Sequence, residues 1–419
     1  MFFLLKRLFY PSSRFFCVSL HRIKKLASYA QDKPDTLFCI VHEPLTRYFY
    51  VVIIMSFRKT ISWFLFPLTV WYAVGVCFRN LLFALGIKSQ TAPPVTTIGV
   101  GNLCTGGSGK TPHVEYLLRL LSGSYETALL SRGYRRKTSG FVLDDGCHSP
   151  SRLGDEPSML ALKFPNVTVA VCEKRVEGVH QLLKRDPAPQ LIVLDDVFQH
   201  RYLKPTVNIL LTEYGNPYFK DHILPFGNLR EFRSARRRAD IVIVTKSPSN
   251  INPIDRHNFI NSLKLRPHQK VFFSQIRYCN PVPLMGTNQL SLNTIDEALV
   301  VTGIAHPEPM FEYVSSCCSA VHIRYADHHR FTLNDLKHIR KSFERLKGNR
   351  KLILTTEKDA VRFRELANSD LMAGLPVYVL PIQVSIQPSL EFDFDQTIQS
   401  IVSKNVSFLD RMHKTKFNL

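Results

Sequence analysis

An α/β fold is predicted, in two successive sets of β-α units joined by a short β linker and preceded by an apolar helix. Three observations predict it. Apolar runs of strand length recur along the chain with helical stretches between them; a glycine-rich turn sits between the first such run and the first helix; and Thr60–Phe78 contains no charged residue.

The 419 residues carry 54 Lys+Arg against 34 Asp+Glu, a formal charge of +20, and are 45% hydrophobic and 21% charged. That balance excludes a disordered chain and a polytopic membrane protein, and the length suits two or three domains. The positive excess fits a polyanionic partner: nucleic acid, anionic membrane lipid or a phosphorylated substrate. No nucleic-acid fold signature is present, so no nucleic-acid partner is expected. The 9 cysteines are scattered and never spaced as C-x-x-C, which argues against a disulfide scaffold or zinc ribbon and for a reducing compartment.

Residues 1–54 hold charged, broken apolar runs and are expected to be an extension outside the fold, with Met55 a candidate start of the continuous pattern. Residues 55–90 are expected to form a membrane-anchoring helix. Trp63 and Trp71 are its amphipathic anchors, and the alternatives are a span and an interface-lying helix kinked at Pro67. After Pro93-Pro94, Val95–Val100 reads as a strand and Thr111–Leu121 as a helix with Leu117, Leu118 and Leu121 inward. Thr127–Leu130, Thr168–Val171, Leu191–Leu194, Val207–Leu211 and Ile241–Thr245 read as further strands, with Glu177–Lys184 helical between two of them. These make a first domain over 91–268. Val271–Tyr278 and Val282–Gly286 read as the β linker, because Asn280-Pro281 supplies turn chemistry. They open a second domain over 269–390, with Ala298–Gly303, Ala320–Tyr325, Lys351–Thr355 and Val377–Leu380 as strands and Leu333–Arg345 as a helix. Residues 391–419 are left as a helical tail.

The run Gly106-Gly107-Ser108-Gly109-Lys110-Thr111 stands between a strand and a helix, where a phosphate-binding loop belongs. Glycines let backbone N–H groups close around phosphate oxygens, and the helix N-terminus adds partial positive charge. Lys110 is placed to neutralise β/γ-phosphates and Thr111 to set its hydroxyl on Mg²⁺. The strict G-x-x-x-x-G-K-[ST] pattern fails only at its first glycine, where Cys104 stands. Leu191–Leu194 delivers Asp195 and Asp196 at the carboxyl end of a strand, where doubly wound sheets bind ligands and where a second Mg²⁺ contact is usual. A helix cap is the plain alternative. With the loop before it, the first domain reads as a P-loop NTPase-type parallel sheet.

Several separated motifs, in order, resemble the tetraacyldisaccharide 4′-kinase (lipid A 4′-kinase) family in the version found in Bacteroidetes-type bacteria. They are Val100-Gly101-Asn102-Leu103 with the loop through Pro112, Ser131-Arg132-Gly133-Tyr134, Gly154-Asp155-Glu156-Pro157, Leu194 through His200, Leu229-Arg230-Glu231, Arg238-Ala239-Asp240, Asp327-His328-His329 and Thr355 through Asp359. The resemblance covers Met55 to the C-terminus. It implies transfer of the ATP γ-phosphoryl group to the 4′-hydroxyl of an acylated glucosamine disaccharide 1-phosphate, with Mg²⁺. The enzyme is then expected as a monomer on the cytoplasmic face of the bacterial inner membrane, held by the apolar helix and attracted to anionic lipids.

Residue by residue, the resemblance makes Asp155 the base, His328 its partner and Lys110 the third catalytic group. Gly106 to Thr111 with Gln199 and His200 would hold the nucleotide; Asn102, Arg132, Tyr134 and Arg230 the acceptor; and Thr111, Asp195, Asp196 and Glu231 the metal. Taken alone, Gly154-Asp155-Glu156-Pro157 also reads as a loop with an N-capping aspartate, and Tyr134 as a core tyrosine. Cys104, Val197, Phe226 and Phe232 depart from the family's usual residues, which bears on pocket shape. A GTPase or ATPase switch, or a metal-delivery protein, is the rival. Thr245-Lys246-Ser247-Pro248 begins like a guanine-reading loop but lacks its aspartate.

Overall fold

A computed structural model describes residues 66–285, 290–366, 369–389 and 391–417. The expectations for residues 1–54, for Met55 and for the helix before Phe66 lie outside the described residues. The fold below is that of the unit Thr69–Leu419.

Helix α1, Phe66–Ala84, is long and apolar enough to cross a membrane, and 11% of it is buried. It continues past the uncharged run that ends at Phe78, within the expected 55–90, and the charge of Arg79 meets Glu231 at 2.9 Å. Nine strands form the first sheet: β1 (Thr96–Asn102), β2 (Thr127–Ser131), β3 (Val142–Leu143), β4 (Thr168–Val171), β5 (Leu191–Asp195), β6 (Val207–Glu213), β7 (Ile241–Thr245), β8 (Lys270–Tyr278) and β14 (Ile382–Ile386). Five form the second: β9 (Val282–Pro283), β10 (Glu297–Thr302), β11 (Ser319–Arg324), β12 (Lys351–Thr356) and β13 (Val377–Leu380). The helices are α2 (Lys110–Leu121), α3 (Pro150–Leu153), α4 (Asp155–Lys163), α5 (Arg175–Leu182), α6 (Pro253–Leu263), α7 (Glu308–Cys317), α8 (Leu333–Glu344), α9 (Glu357–Arg364) and α10 (Phe394–Phe417).

The first sheet runs β14-β8-β7-β6-β1-β5-β2-β4-β3, with only the edge strands β14 and β3 antiparallel to their neighbours. Strand β1 lies between β5 and β6, so its carboxyl end opens at the middle of the sheet. Every residue of β1 and β5 is buried, as a parallel sheet covered on both faces requires. Helix α2 covers one face through Val114, Leu117, Leu118 and Leu121, at helical spacing. Each such side chain contributes roughly 1.5–3 kcal/mol by leaving water.

Three expectations are corrected. The short β linker is present, but its second strand is not Val282–Gly286: β8 (Lys270–Tyr278) pairs in parallel with β7 and antiparallel with β14, so the chain leaves and re-enters the first sheet through the β8–β14 pair, while Val282–Pro283 pairs with β13 of the second sheet. Phe272 and Phe273 are both buried, one to each face, which explains the pairing. The 391–419 segment is helical as expected, over Phe394–Phe417, but it packs rather than trails, since Phe394, Ile398, Val402 and Val406 of α10 belong to the same core as α2. The 177–184 helix is shifted to Arg175–Leu182.

Candidate active site

One cleft of about 1510 Å³ receives the ends of both sheets. At its donor end the loop after β1 carries Gly106 and Gly109 at φ 109° and 82°. Gly109 is the N-cap of α2 and offers no side-chain cap, so the first N–H groups of the helix are left for an anion. The loop is pinned from behind. Thr245 Oγ1 donates to the Ser108 carbonyl at 3.0 Å, and His113 touches the Gly109 carbonyl at 2.7 Å and Ser274 Oγ at 2.9 Å. Burial pushes His113 down to about 4, so the ring is neutral: Nδ1–H donates to Gly109 and Nε2 accepts from Ser274.

Lys110 Nζ lies 3.4 Å from Asn102 Oδ1 and 3.6 Å from Asp196 Oδ1. Asp195 ends β5 and is buried; its Oδ2 accepts from Ser131 Oγ at 3.1 Å while its Oδ1 has no partner. Burial first, then repulsion from Glu156 and Asp196, raises this carboxyl to about 6 against the pull of Lys110. Asp196, at φ 47°, turns back on Arg230, whose Nη1 is 3.2 Å from both carboxylate oxygens. Burial pushes the Asp196 carboxyl up, but Lys110 and Arg230 outweigh it and hold it low. An orphaned, crowded carboxylate oxygen beside an anionic neighbour fits a divalent cation, and Mg²⁺ needs few protein ligands when phosphates supply the rest.

At the acceptor end, Gly154 at φ 92° lets α4 begin at Asp155; a Cβ there would sit 2.8 Å from the Tyr134 carbonyl. Asp155 Oδ2 lies 2.8 Å from His328 Nδ1 and 2.5 Å from Arg362 Nη2, both from the second sheet's elements. Burial raises the Asp155 carboxyl, but hydrogen bonds from His328 and Arg362 and the guanidinium charge prevail and hold it well below the usual range. Arg362, 3.2 Å from His328 Nδ1, is anchored in turn by Asp359 at 2.9 Å, whose Oδ2 accepts from Gly303 N. Lys358 Nζ approaches His328 Nε2 at 3.5 Å and Glu156 at 3.1 Å.

Asp327-His328-His329 lies in a turn after β11, where His328, at φ 62°, faces Asp155 while His329 bonds Asp335. Tyr134 is exposed, no core residue, with its ring 5.8 Å from that of His328. Gly106 to Thr111, Arg132, Gln199, His200 and Arg230 line the same cleft. Gln199 Nε2 donates to the Asn102 carbonyl at 2.7 Å. Burial, then Arg175 and Arg132, pushes His200 down to about 4.

Two predicted residues are placed elsewhere. Glu231 is fully buried between Arg79 and Arg238, at 2.9 and 2.8 Å, and so is spent as an ion-pair bridge rather than offered to a metal. Asn102 is buried behind the loop and props Lys110 instead of meeting an acceptor. Sequence reasoning missed Arg362, Ser131 and His113 as site residues. Arg362 had a signal, standing three residues past Asp359 on one helix face.

The sequence profile of the tetraacyldisaccharide-1-P 4′-kinase family matches residues 61–399. Among curated relatives, the tetraacyldisaccharide 4′-kinase of Bacteroides thetaiotaomicron is 40% identical over 373 residues, 85% of this chain and 97% of its own. That of Flavobacterium johnsoniae is 42% identical over 345 residues, 82% and 97% of the two chains. The crystal structure of LpxK from Aquifex aeolicus in complex with ATP superposes with a TM-score of 0.63 at 26% identity, covering 83% of this chain and 99% of that one. A phosphate loop, an acidic pair and a cross-sheet Asp–His couple in one cleft, matched along most of the chain, place it in the tetraacyldisaccharide-1-P 4′-kinase family.

Proposed function

We propose a division of labour among the cleft residues for this enzyme, an ATP-dependent lipid A 4′-kinase by its family. The loop amides of Gly106 to Gly109 and the start of α2 receive the triphosphate, and Lys110 neutralises its terminal oxygens. Mg²⁺, when bound, spreads charge off the β- and γ-phosphates, and Thr111, Asp195 and Asp196 are the residues that would hold it. Arg132 and Arg230 present guanidinium groups to phosphate oxygens, and Tyr134 faces the sugar beside His328.

Asp155 accepts the proton of the 4′-hydroxyl as that oxygen bonds to the γ-phosphorus; the bond from the γ-phosphorus to the bridging oxygen breaks and ADP leaves. A carboxylate held this acidic is a weak base. It suffices because phosphoryl transfer passes through a loose transition state in which the attacking oxygen has lost little proton density. Positioning is therefore the larger contribution, and His328 aims the carboxylate through its Nδ1–H.

The acceptor is an acylated disaccharide, so the cleft must reach a lipid surface. Helix α1, with Tyr72 and Val76 on the cleft wall, supports anchoring at the cytoplasmic face of the inner membrane, where ATP is available. Anionic lipids suit the surplus of positive charge, and a monomer is sufficient because the cleft is completed by one chain.

The observation that carries the residue assignment is the Asp155–His328 contact, bridging two sheets at the wall of a phosphate-loop cleft. Labelled ATP, incubated with purified protein and a panel of acylated glucosamine disaccharides with and without a 1-phosphate, should label the 1-phosphate forms at the 4′ position. ATP consumption without a labelled lipid would overturn the acceptor assignment.

A further inference from the structure

The outward face of α1 carries Val70, Trp71, Val74, Phe78 and Leu81, all exposed. Water does not stabilise such a face, and a surface helix of a soluble protein would present polar groups there. Its other face is fastened to the catalytic lobe along its length. Thr69 Oγ1 accepts from Phe226 N at 3.2 Å, and Tyr72 Oη donates to the Arg230 carbonyl at 3.0 Å. Arg79 pairs with Glu231 at 2.9 Å, and the Phe83 ring meets Tyr202 edge-on at 5.0 Å. From Thr69 to Phe83 is about 21 Å of helix at 1.5 Å per residue. A helix bonded to the lobe over that distance lies along the lobe's surface, and this stretch enters a bilayer only sideways.

The lobe borders that stretch with groups of its own. Phe226 and Phe232, 42% and 37% exposed, flank the segment that bonds to α1, and Tyr202, 51% exposed, closes the far end. None of these three side chains takes part in the chemistry above. Cations accompany them: Lys88 lies 5.7 Å from the Tyr202 ring, and in the segment that follows Phe232 both Arg233 and Arg237 are exposed, Arg233 donating to the Asp221 carbonyl. Aromatic rings beside cations are what a headgroup layer with anionic lipid accepts.

We propose that Tyr202, Phe226 and Phe232, with Lys88, Arg233 and Arg237, form a second lipid-binding element that seats the lobe on an anionic bilayer beside α1. The inference rests on the reading that the enzyme works at a membrane, and it adds that the catalytic lobe itself enters the interface. The cleft mouth, to which Tyr72 and Arg79 contribute, is then held at headgroup depth.

The test is co-sedimentation of the full chain with phosphatidylcholine vesicles, with and without phosphatidylglycerol, for the parent, Phe226→Ser/Phe232→Ser and Arg233→Gln/Arg237→Gln. The aromatic pair should weaken binding to both vesicles by roughly tenfold. The arginine pair should weaken only the phosphatidylglycerol increment, about fivefold per residue. Turnover on detergent-dispersed acceptor should stay within about twofold in both, which also reports folding. Independently, in Phe226→Trp the emission added to the parent's should be quenched by brominated lipid. If the parent binds and both pairs bind equally, or the added tryptophan is not quenched, the second element is refuted and α1 acts alone. If the parent binds neither vesicle, the membrane reading itself falls.

Discussion

The donor and acceptor ends of the cleft are made in different ways. At the donor end, Lys110, Asp195, Asp196 and Arg230 all come from the first sheet and its loops, and the loop is pinned from beneath by Thr245 and His113. At the acceptor end, Asp155 belongs to the first sheet's elements while His328 and Arg362 reach it from 173 and 207 residues away. One end is complete within a lobe; the other exists only when two lobes are in register. Substitutions should therefore separate binding of the nucleotide from alignment of the acceptor.

The largest loss is expected at the donor end. Lys110→Ala removes the cation facing the terminal phosphates and should lower kcat on the order of 10³-fold while also weakening ATP binding, read by calorimetry. Asp155→Asn should lower kcat by roughly 10²-fold and leave ATP affinity unchanged, because nothing at the donor end touches it. Equal loss of ATP affinity in both variants would erase the distinction between the two ends.

The same division governs what the sequence revealed. The phosphate loop and the Asp195-Asp196 pair were legible because their chemistry is local: a strand, a turn and a helix read in one window. The strand Val377–Leu380 likewise begins and ends where its apolar run does. Asp155 and His328 were joined only through a family resemblance, since no spacing in one chain reports a contact between lobes. Arg362, although it stands three residues past Asp359 on one helix, was passed over for a further reason. Its burial is made possible by Asp359 and by carbonyls of Gly303 and His329, and such compensation belongs to tertiary structure. The linker's second strand was misplaced because Asn280-Pro281 supplied turn chemistry toward Val282–Gly286, while the alternation of Ile382, Val384 and Ile386 went unread. The resemblance assigned Glu231 to the metal, and two arginines claim it instead.

A smaller, sharper effect is expected at Arg362. Arg362→Gln leaves His328 to hold Asp155 alone, so kcat should fall about tenfold through looser aim, with Arg362→Lys restoring part of it. The pH dependence has a definite sign. The Asp155 carboxyl is depressed in the folded state, so its contribution to stability is full above the unfolded value of about 4 and drains away as pH falls below it. Arg362→Gln should flatten that acid slope in urea midpoints measured against pH. An unchanged slope would mean that the guanidinium does not set the state of the carboxylate.

The smallest effect tests the donor end's foundation. His113 is held neutral at about 4 when folded, against an ordinary value near 6.5, so the unfolded chain binds the extra proton first. Its contribution is fully present above about 6.5 and declines as pH falls toward 4. Differential scanning across that window should show Tm dropping with acid in the parent. His113→Gln keeps a side chain able to donate to Gly109 and accept from Ser274 without titrating, and should lose most of that window's slope. ATP affinity in this variant should change by less than about threefold at neutral pH, because the amides and Lys110 that face the phosphates are untouched. A large loss there would mean that the loop's shape depends on the imidazole itself, and that the donor end is less self-sufficient than its all-in-one-lobe construction implies.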